Sequence, residues 1–336
     1  MAKRIGKQTI KLDKNIIIAG SAGVVGKKEG EGPLGDGFDM VFDDEYLGQP
    51  TFEAAESMLI KNACLTACKK ADVEMSDIEL ILIGDLLDQS MSSTYGIKDF
   101  STPHIGLFGA CSTCGLSNAL ASVLIDSGAV NLALAATSSH FCTAERQFRF
   151  PLEYGSKRTP NSQRTVTGSG AFVLKEGSGK PRINAVTFGK IKDYDVTDAN
   201  NMGAAMAPAA ADTIKAYLDD TNTKPDDFDL ILTGDLGKIG SKLLIELLKK
   251  ENIDISSVHN DCGLMIFDTN DKDIAAGGSG CGCSASVFAT SIMSKLQSGE
   301  LQRILFIPTG ALLSPTSTNQ GLSIPGIAHL IEIVSK

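Results

Sequence analysis

The feature that most restricts this 336-residue chain is an internal repetition. Asp77-Ile-Glu-Leu-Ile-Leu-Ile-Gly-Asp-Leu-Leu87 recurs as Asp227-Phe-Asp-Leu-Ile-Leu-Thr-Gly-Asp-Leu-Gly237. A second stretch, Gly109 to Thr137, combines a segment of helical period, a Ser127-Gly128 turn and a strand. It recurs as Gly280 to Pro308 around Ser298-Gly299. Two matches in the same order mark a duplicated unit. The second pair is offset further than the first, and a lengthened helix near Lys242 to Ser257 takes the extra residues. Each unit alternates strands with helices, which points to mostly parallel sheets covered by helices. Thr165–Leu174 followed by Lys180–Gly189 closes the first unit, and Ile327–Val334 closes the second. The expected halves are residues 1–190, with a cap segment at 143–170, and residues 191–336.

Composition narrows the function. At 43% hydrophobic residues the chain can bury a large core. A net charge of −9 argues against a nucleic-acid partner, which needs clustered lysine and arginine. The lead-in Met1 to Asp13 is polar and basic, unlike a signal peptide. The most apolar stretch, Leu116 to Ala136, is interrupted by Asp126-Ser127-Gly128 and does not read as a transmembrane segment. Eight scattered cysteines then fit reduced thiols better than a disulfide framework.

Locally, Gly109-Ala110-Cys111-Ser112-Thr113-Cys114-Gly115 reads as a tight turn between a buried strand, Ile105 to Phe108, and a helix starting at the cysteine. That position favours thiolate and anions through the helix N-terminus; packing of a small apolar side chain is the plainer reading. Asn15 to Gly20 reads as a first strand. The glycine-rich loop Gly23 to Gly37 lacks the Gly-Lys-Ser/Thr of a phosphate cradle. Thr51 to Ala71 reads as a helix capped by Thr51.

These residues resemble the thiolase superfamily: the turn GACSTCG, the glycine motif TVTGSGAFVL, the duplicated halves and the loop IPGIAH. Within it the chain is similar to the stage V sporulation protein AD family. The stretches that carry this are GPLGDGFD (32–39), IGDLLDQ (83–89), LAATSSH (134–140), TAERQFRFPLEYG (143–155), MAPAAADTIK (206–215), AGGSGCGCSA (276–285) and TGALLSPT (309–316). The resemblance implies a thiolase fold, a duplicated five-layer α-β-α-β-α arrangement with two mostly parallel sheets and halves related by a pseudo-two-fold axis. It also implies a spore protein at the inner membrane, working in the uptake and release of dipicolinic acid (pyridine-2,6-dicarboxylate) with its calcium. Membrane proteins of the same sporulation transport system are the implied partners, and a homodimer is typical of the fold.

The catalytic set departs from the superfamily. Condensation needs a thiolate and a pair of enolate-stabilising donors from the second half. Their places read Thr233-Gly234-Asp235-Leu236 and Ser279-Gly280-Cys281-Gly282-Cys283, with no histidine in either. Cys281 is a candidate vestigial acid/base. His104 and His259 lie elsewhere, while His140 and His329 fall near the expected pocket mouth. Cys111-x-x-Cys114 and Cys281-x-Cys283 would supply four sulfurs to a metal, but both pairs sit on buried glycine turns rather than knuckles. Neither a metal site nor a resident cofactor is expected, calcium entering only with dipicolinate. Arg146, Arg149, Lys157, Arg158 and Arg164 outnumber Glu145 and Glu153 in the cap and suit an anion, or pair with surface acids. The reading is a dipicolinate-binding protein with a vestigial nucleophile, Cys111, and a ligand site of Asp85, Cys111, Ser138, Ser139 and His140. The alternatives are an active cysteine-dependent acyltransferase on a CoA or carrier thioester, and a scaffold for membrane partners.

Overall fold

The computed structural model describes residues 2–148, 159–271 and 273–335. Its frame is a sheet whose path crosses ten strands: β1 (Thr9–Val25), β2 (Leu80–Gly84), β3 (His104–Gly106), β4 (Leu132–Ser139), β5 (Gly168–Glu176), β6 (Arg182–Thr187), β7 (Leu230–Thr233), β8 (His259–Asp261), β9 (Arg303–Ile307) and β10 (Leu330–Val334). Their order is β8-β7-β9-β10-β6-β1-β5-β4-β2-β3. From the centre outward, the first five strands and the last five follow the same sequence, so the repetition in the chain is a repetition in space. In the first half β2 pairs parallel with β3 and β4, while β5 runs antiparallel to β4 and β1. The second half repeats this pattern: β7 is parallel to β8 and β9, and β10 is antiparallel to β9 and β6.

The two half-sheets join where β1 meets β6, Thr9 opposite Thr187 and Ile17 opposite Arg182. β1 outgrows the expected Asn15–Gly20 because it serves both halves. Its first part pairs with β6, and from Ile16 onward it pairs with β5. By the same symmetry β6 holds in the second half the place of β1. The halves therefore meet at 177–181, ahead of the boundary expected at 190/191.

The helices that matter are α1 (Phe52–Lys70), α2 (Thr113–Ser127), α3 (Phe141–Phe148), α4 (Met202–Thr221), α5 (Gly237–Lys250), α6 (Cys281–Val287) and α7 (Met293–Ser298). α6 and α7 are joined by a π-helical turn, Phe288–Ile292. Thr51 caps α1 as expected, its Oγ1 accepting from Ala54 N at 3.2 Å. α1 covers the outer face of the first half-sheet, and α4 and α5 pack on each other outside the second. α2 and α6 lie between the half-sheets: α2 touches β2 and β4 of its own half and β10 of the other, and α6 touches β4 and β5. Helix, sheet, helix, sheet, helix is the five-layer arrangement. Both Ser-Gly turns seen in the sequence close this central layer, Gly128 after α2 and Gly299 after α7, each at φ +80°.

Two expectations need correction. The strand before the cysteine turn is not buried: β3 is the exposed edge of the sheet, because no described strand pairs beyond it. The extra residues of the second half lie partly in α5 and largely in 262–280, which corresponds to the short connection 107–112. Of the cap 143–170, residues 149–158 lie outside the described residues.

Phe172 on β5, Phe288 in the π turn and Phe306 on β9 stack through the three inner layers, with ring centroids 5.2 and 4.3 Å apart. All three are fully buried. Phe288→Ala should therefore cost about 3–5 kcal/mol. Urea unfolding should show a lower midpoint in one transition for the whole chain. Separate transitions for the two halves would show that this layer does not bind them into one unit.

Candidate functional site

The turn that presents Cys111 is strained and held by side chains. Ala110 sits at φ +49°, where an L-residue costs about 1–3 kcal/mol. Thr113 Oγ1 donates to Ala110 O at 2.7 Å and accepts from Gly109 N at 3.0 Å, and Ser112 Oγ donates to Gly109 O at 2.6 Å. α2 begins only at Thr113, so Cys111 belongs to the turn and not to the helix. Its sulfur lies in a cleft between the halves. Leu86, Phe108, Phe148, Met202 and Leu313 give apolar walls, and Thr165, Ser279 and Glu145 give the polar part. The cleft is narrow, about 40 Å³, room for about three waters.

Asp235 is the group that decides the chemistry of Cys111. It stands after β7, where the superfamily resemblance calls for a histidine, and its charge acts on the buried thiol. Its carboxylate also accepts from Thr309 Oγ1 at 2.7 Å, Ser279 Oγ at 3.0 Å and Gly280 N at 3.0 Å. Burial, and then the neighbouring Asp235, push the Cys111 thiol well above its ordinary range. The helix-terminus effect that would favour thiolate is outweighed, because a buried thiol beside a carboxylate keeps its proton.

Of the five expected ligand residues only Cys111 lines the cleft. Asp85 is turned inward, accepting from Leu87 N at 2.8 Å and Ser93 N at 2.7 Å. Ser138 Oγ donates to Glu56 Oε1 at 3.1 Å, and Ser139 Oγ donates to Val166 O at 2.7 Å. His140 donates from Nε2 to Glu45 O at 2.8 Å. The physical reason is common to all four: polar groups at buried strand ends are used up by nearby backbone and acids. His329 accepts at Nδ1 from Gly189 N at 3.2 Å, and the His259 ring meets Thr233 Oγ1 at 3.1 Å. His104 lies on the exposed edge strand. No described histidine lines the cleft.

Cys281 shares an apolar cluster with Cys111, Leu86 and Ala144, but its Sγ donates to Ser138 O at 2.9 Å. Among the described residues Cys111, Cys114, Cys281 and Cys283 do not gather into a metal cluster. Of the basic cap, Arg146 pairs with Glu53 and Arg164 lies 3.9 Å from the Phe141 ring centroid; neither lines the cleft. Arg149, Lys157 and Arg158 are outside the described residues. Thr165 and Ser279 were not singled out from the sequence as site residues, and Glu145 was counted only as an acid of the cap. Ser279 stands in the quoted second-half turn, Thr165 opens the quoted glycine motif and Glu145 lies in the quoted stretch 143–155, so each had a signal.

A family model described as Stage V sporulation protein AD matches residues 6–334. Stage V sporulation protein AD of Bacillus subtilis (strain 168) is 45% identical over 327 residues, 97% of this chain and 96% of that protein. Among solved structures, 3-oxoacyl-[acyl-carrier-protein] synthase III from Aquifex aeolicus VF5 is 14% identical with a TM-score of 0.57, covering 96% of this chain and 99% of that one. Cerulenin-bound OleA of Xanthomonas campestris is 14% identical with a TM-score of 0.62 over the same shares. At that identity the two structures show the fold alone, and it is thiolase-like.

The burial around the site also sets a pH dependence. Burial and the nearby Asp85 push Glu56 up to about 8, and burial pushes Asp261 up to about 6. The folded chain then holds protons that the unfolded chain releases above the ordinary carboxylate range. Buried His140, His259 and His329, pushed down to about 4, work the other way up to about pH 6.5, because there the unfolded chain takes up the protons. Above pH 6.5 the raised carboxyls act alone, so stability should fall from about pH 6.5 towards 8. The melting temperature should decline over that interval, and Glu56→Gln should flatten the decline. A melting temperature that climbs between pH 6.5 and 8 would refute these assignments.

Proposed function

The chain belongs to the stage V sporulation protein AD family, and we propose that it binds dipicolinic acid, with or without calcium, and does not catalyse condensation. The observation that carries this is Asp235 at the thiol of Cys111. A condensing enzyme needs thiolate and a donor for the enolate oxygen; here a carboxyl faces a protonated thiol. A cleft without that chemistry still offers a binding site.

The ligand half of the proposal rests on the family and on the walls of the cleft. Apolar side chains suit a flat pyridine ring, and the Thr165 hydroxyl of the lining would donate to one carboxylate. Phe148 would give way to admit the ring. A second carboxylate finds no lysine or arginine among the described lining residues. Glu145 is the acid in that lining, and a calcium ion carried with the ligand would bridge the two. Under this reading the protein acts peripherally at the spore inner membrane beside membrane proteins of the same transport system. No helix of the described residues is long and apolar enough to cross a membrane. The exposed edge β3 is where a second copy would add its strands.

Calorimetry with dipicolinate, alone and with calcium, tests the proposal. Cys111→Ala should weaken binding and Cys111→Phe should abolish it. Glu145→Gln should cost the calcium complex about 1–3 kcal/mol and spare the free acid. Binding that survives Cys111→Phe would place the ligand elsewhere. In parallel, acyl-CoA incubated with the protein should release no free CoA. Sustained release dependent on Cys111 would establish the acyltransferase alternative instead.

A further inference from the structure

Behind the cleft, where β4 leads into α3, three side chains of different donor type converge. Glu45, His140 and Cys142 each place one ligand atom within 4.8 Å of the others. His140 and Cys142 flank the start of α3, and Glu45 comes from the chain between the first glycine-rich loop and α1. Glu45 O can only accept, so the 2.8 Å contact with His140 Nε2 fixes the proton on that nitrogen. Nδ1 is left with its lone pair, which meets Cys142 N–H at 3.1 Å. A ring that donates one N–H to a carbonyl and holds out its other nitrogen is the usual arrangement of a metal-binding imidazole. Burial pushes this ring down to about 4, so it stays in the neutral form that ligates.

Charge around the cluster favours a cation. Buried Glu29, which accepts from Thr167 N at 3.0 Å, has Glu45 and Arg164 as its charged neighbours. Cys142 has Glu45, Arg164 and Glu145 as its own. Burial pushes Glu29 up to about 7, so Glu45 and Glu145 are the acids that oppose the single arginine, and a carboxylate at the edge of a buried site is relieved by pairing or by a metal.

We propose that Glu45, His140 and Cys142 form a binding site for a zinc-class divalent ion, with water in a fourth position. The nitrogen, sulfur and oxygen donors match zinc, whereas calcium takes oxygen alone. Zinc bonds of about 2.0–2.3 Å set ligand atoms roughly 3.3–3.8 Å apart, so an inward shift of about 1 Å completes the site. On binding, the Cys142 S–H bond breaks, its proton leaves to solvent and an S–Zn bond forms. Nδ1 exchanges its contact with Cys142 N–H for the metal. The ion would tie the first turn of α3 to Glu45, and the same helix carries Ala144, Glu145 and Phe148 of the cleft.

The test uses the full chain, stripped with a chelator and free of dipicolinate, titrated with Zn²⁺ against a chromophoric competitor and separately with Co²⁺. One zinc per chain is expected, with proton release, a rise in melting temperature and a thiolate-to-cobalt charge-transfer band. Cys142→Ser should remove the band, and both Cys142→Ser and half-exposed Glu45→Gln should weaken zinc about 10-fold or more. Without metal, both variants should melt close to the wild type. Zinc held at wild-type affinity by either variant, or cobalt bound without the band, overturns the site; absence of zinc binding does the same. These results are read in the absence of dipicolinate, and binding at Cys111 is read by calorimetry on its own ligand, so failure of one is distinguished from failure of the other.

Discussion

Helices α2 and α6 are covered on both sides, and their backbones lie almost against the strands that cover them. A Cβ at Gly170 would come 2.4 Å from Ala285 O, and one at Gly282 would come 2.2 Å from Gly168 O. No larger residue fits at either place without moving a strand or a helix. The close approach lets Phe288 reach Phe172 on one sheet and Phe306 on the other, which makes the two halves one packing unit. It also brings the two turns of the repeat, at Cys111 and at Ser279–Cys281, to the same cleft.

The burial that builds this layer also determines its chemistry. A cysteine at an exposed helix start would be acidified by the dipole. At the junction of two sheets desolvation outweighs that effect, and Asp235 adds a neighbouring negative charge. The acid is itself held by Thr309, Ser279 and Gly280, so it cannot swing away to leave the sulfur activated. The thiol keeps its proton chiefly because water is excluded from the middle layer, and the fixed carboxylate beside it reinforces that effect.

The repetition was legible because apolar runs and Ser-Gly turns are local signals, and they recur at β2 and β7 and at Gly128 and Gly299. The cysteine turn was legible for the same reason. Side-chain direction was not. Asp85, Ser138, Ser139 and His140 stand at or just beyond strand ends, but the chain does not say whether such a group faces a cleft or closes a nearby backbone donor. Asp85 does the latter with Leu87 N and Ser93 N, as short acids following a strand often do. Edge exposure was equally hidden: Ile105-Gly-Leu-Phe108 is apolar enough to read as buried, and only the sheet order makes β3 the last strand. Membership of the family, by contrast, rested on long strings, and the match over residues 6–334 agrees with them.

α3 connects these parts. Eight residues are too few for a helix to persist in water by itself, so its position is set entirely by what it touches. Thr143 Oγ1 donates to Glu56 Oε2 at 2.7 Å, fastening the helix to the buried acid pair. Phe141 N donates to Thr167 Oγ1 at 3.1 Å, fastening its start to the strand beside it. Arg146 reaches Glu53 on α1. Ala144, Glu145 and Phe148 are then what the cleft sees of this helix. The wall above Cys111 is therefore only as rigid as these contacts. A change of charge at Glu56 acts on the cleft through Thr143, without any group in the cleft itself having to titrate.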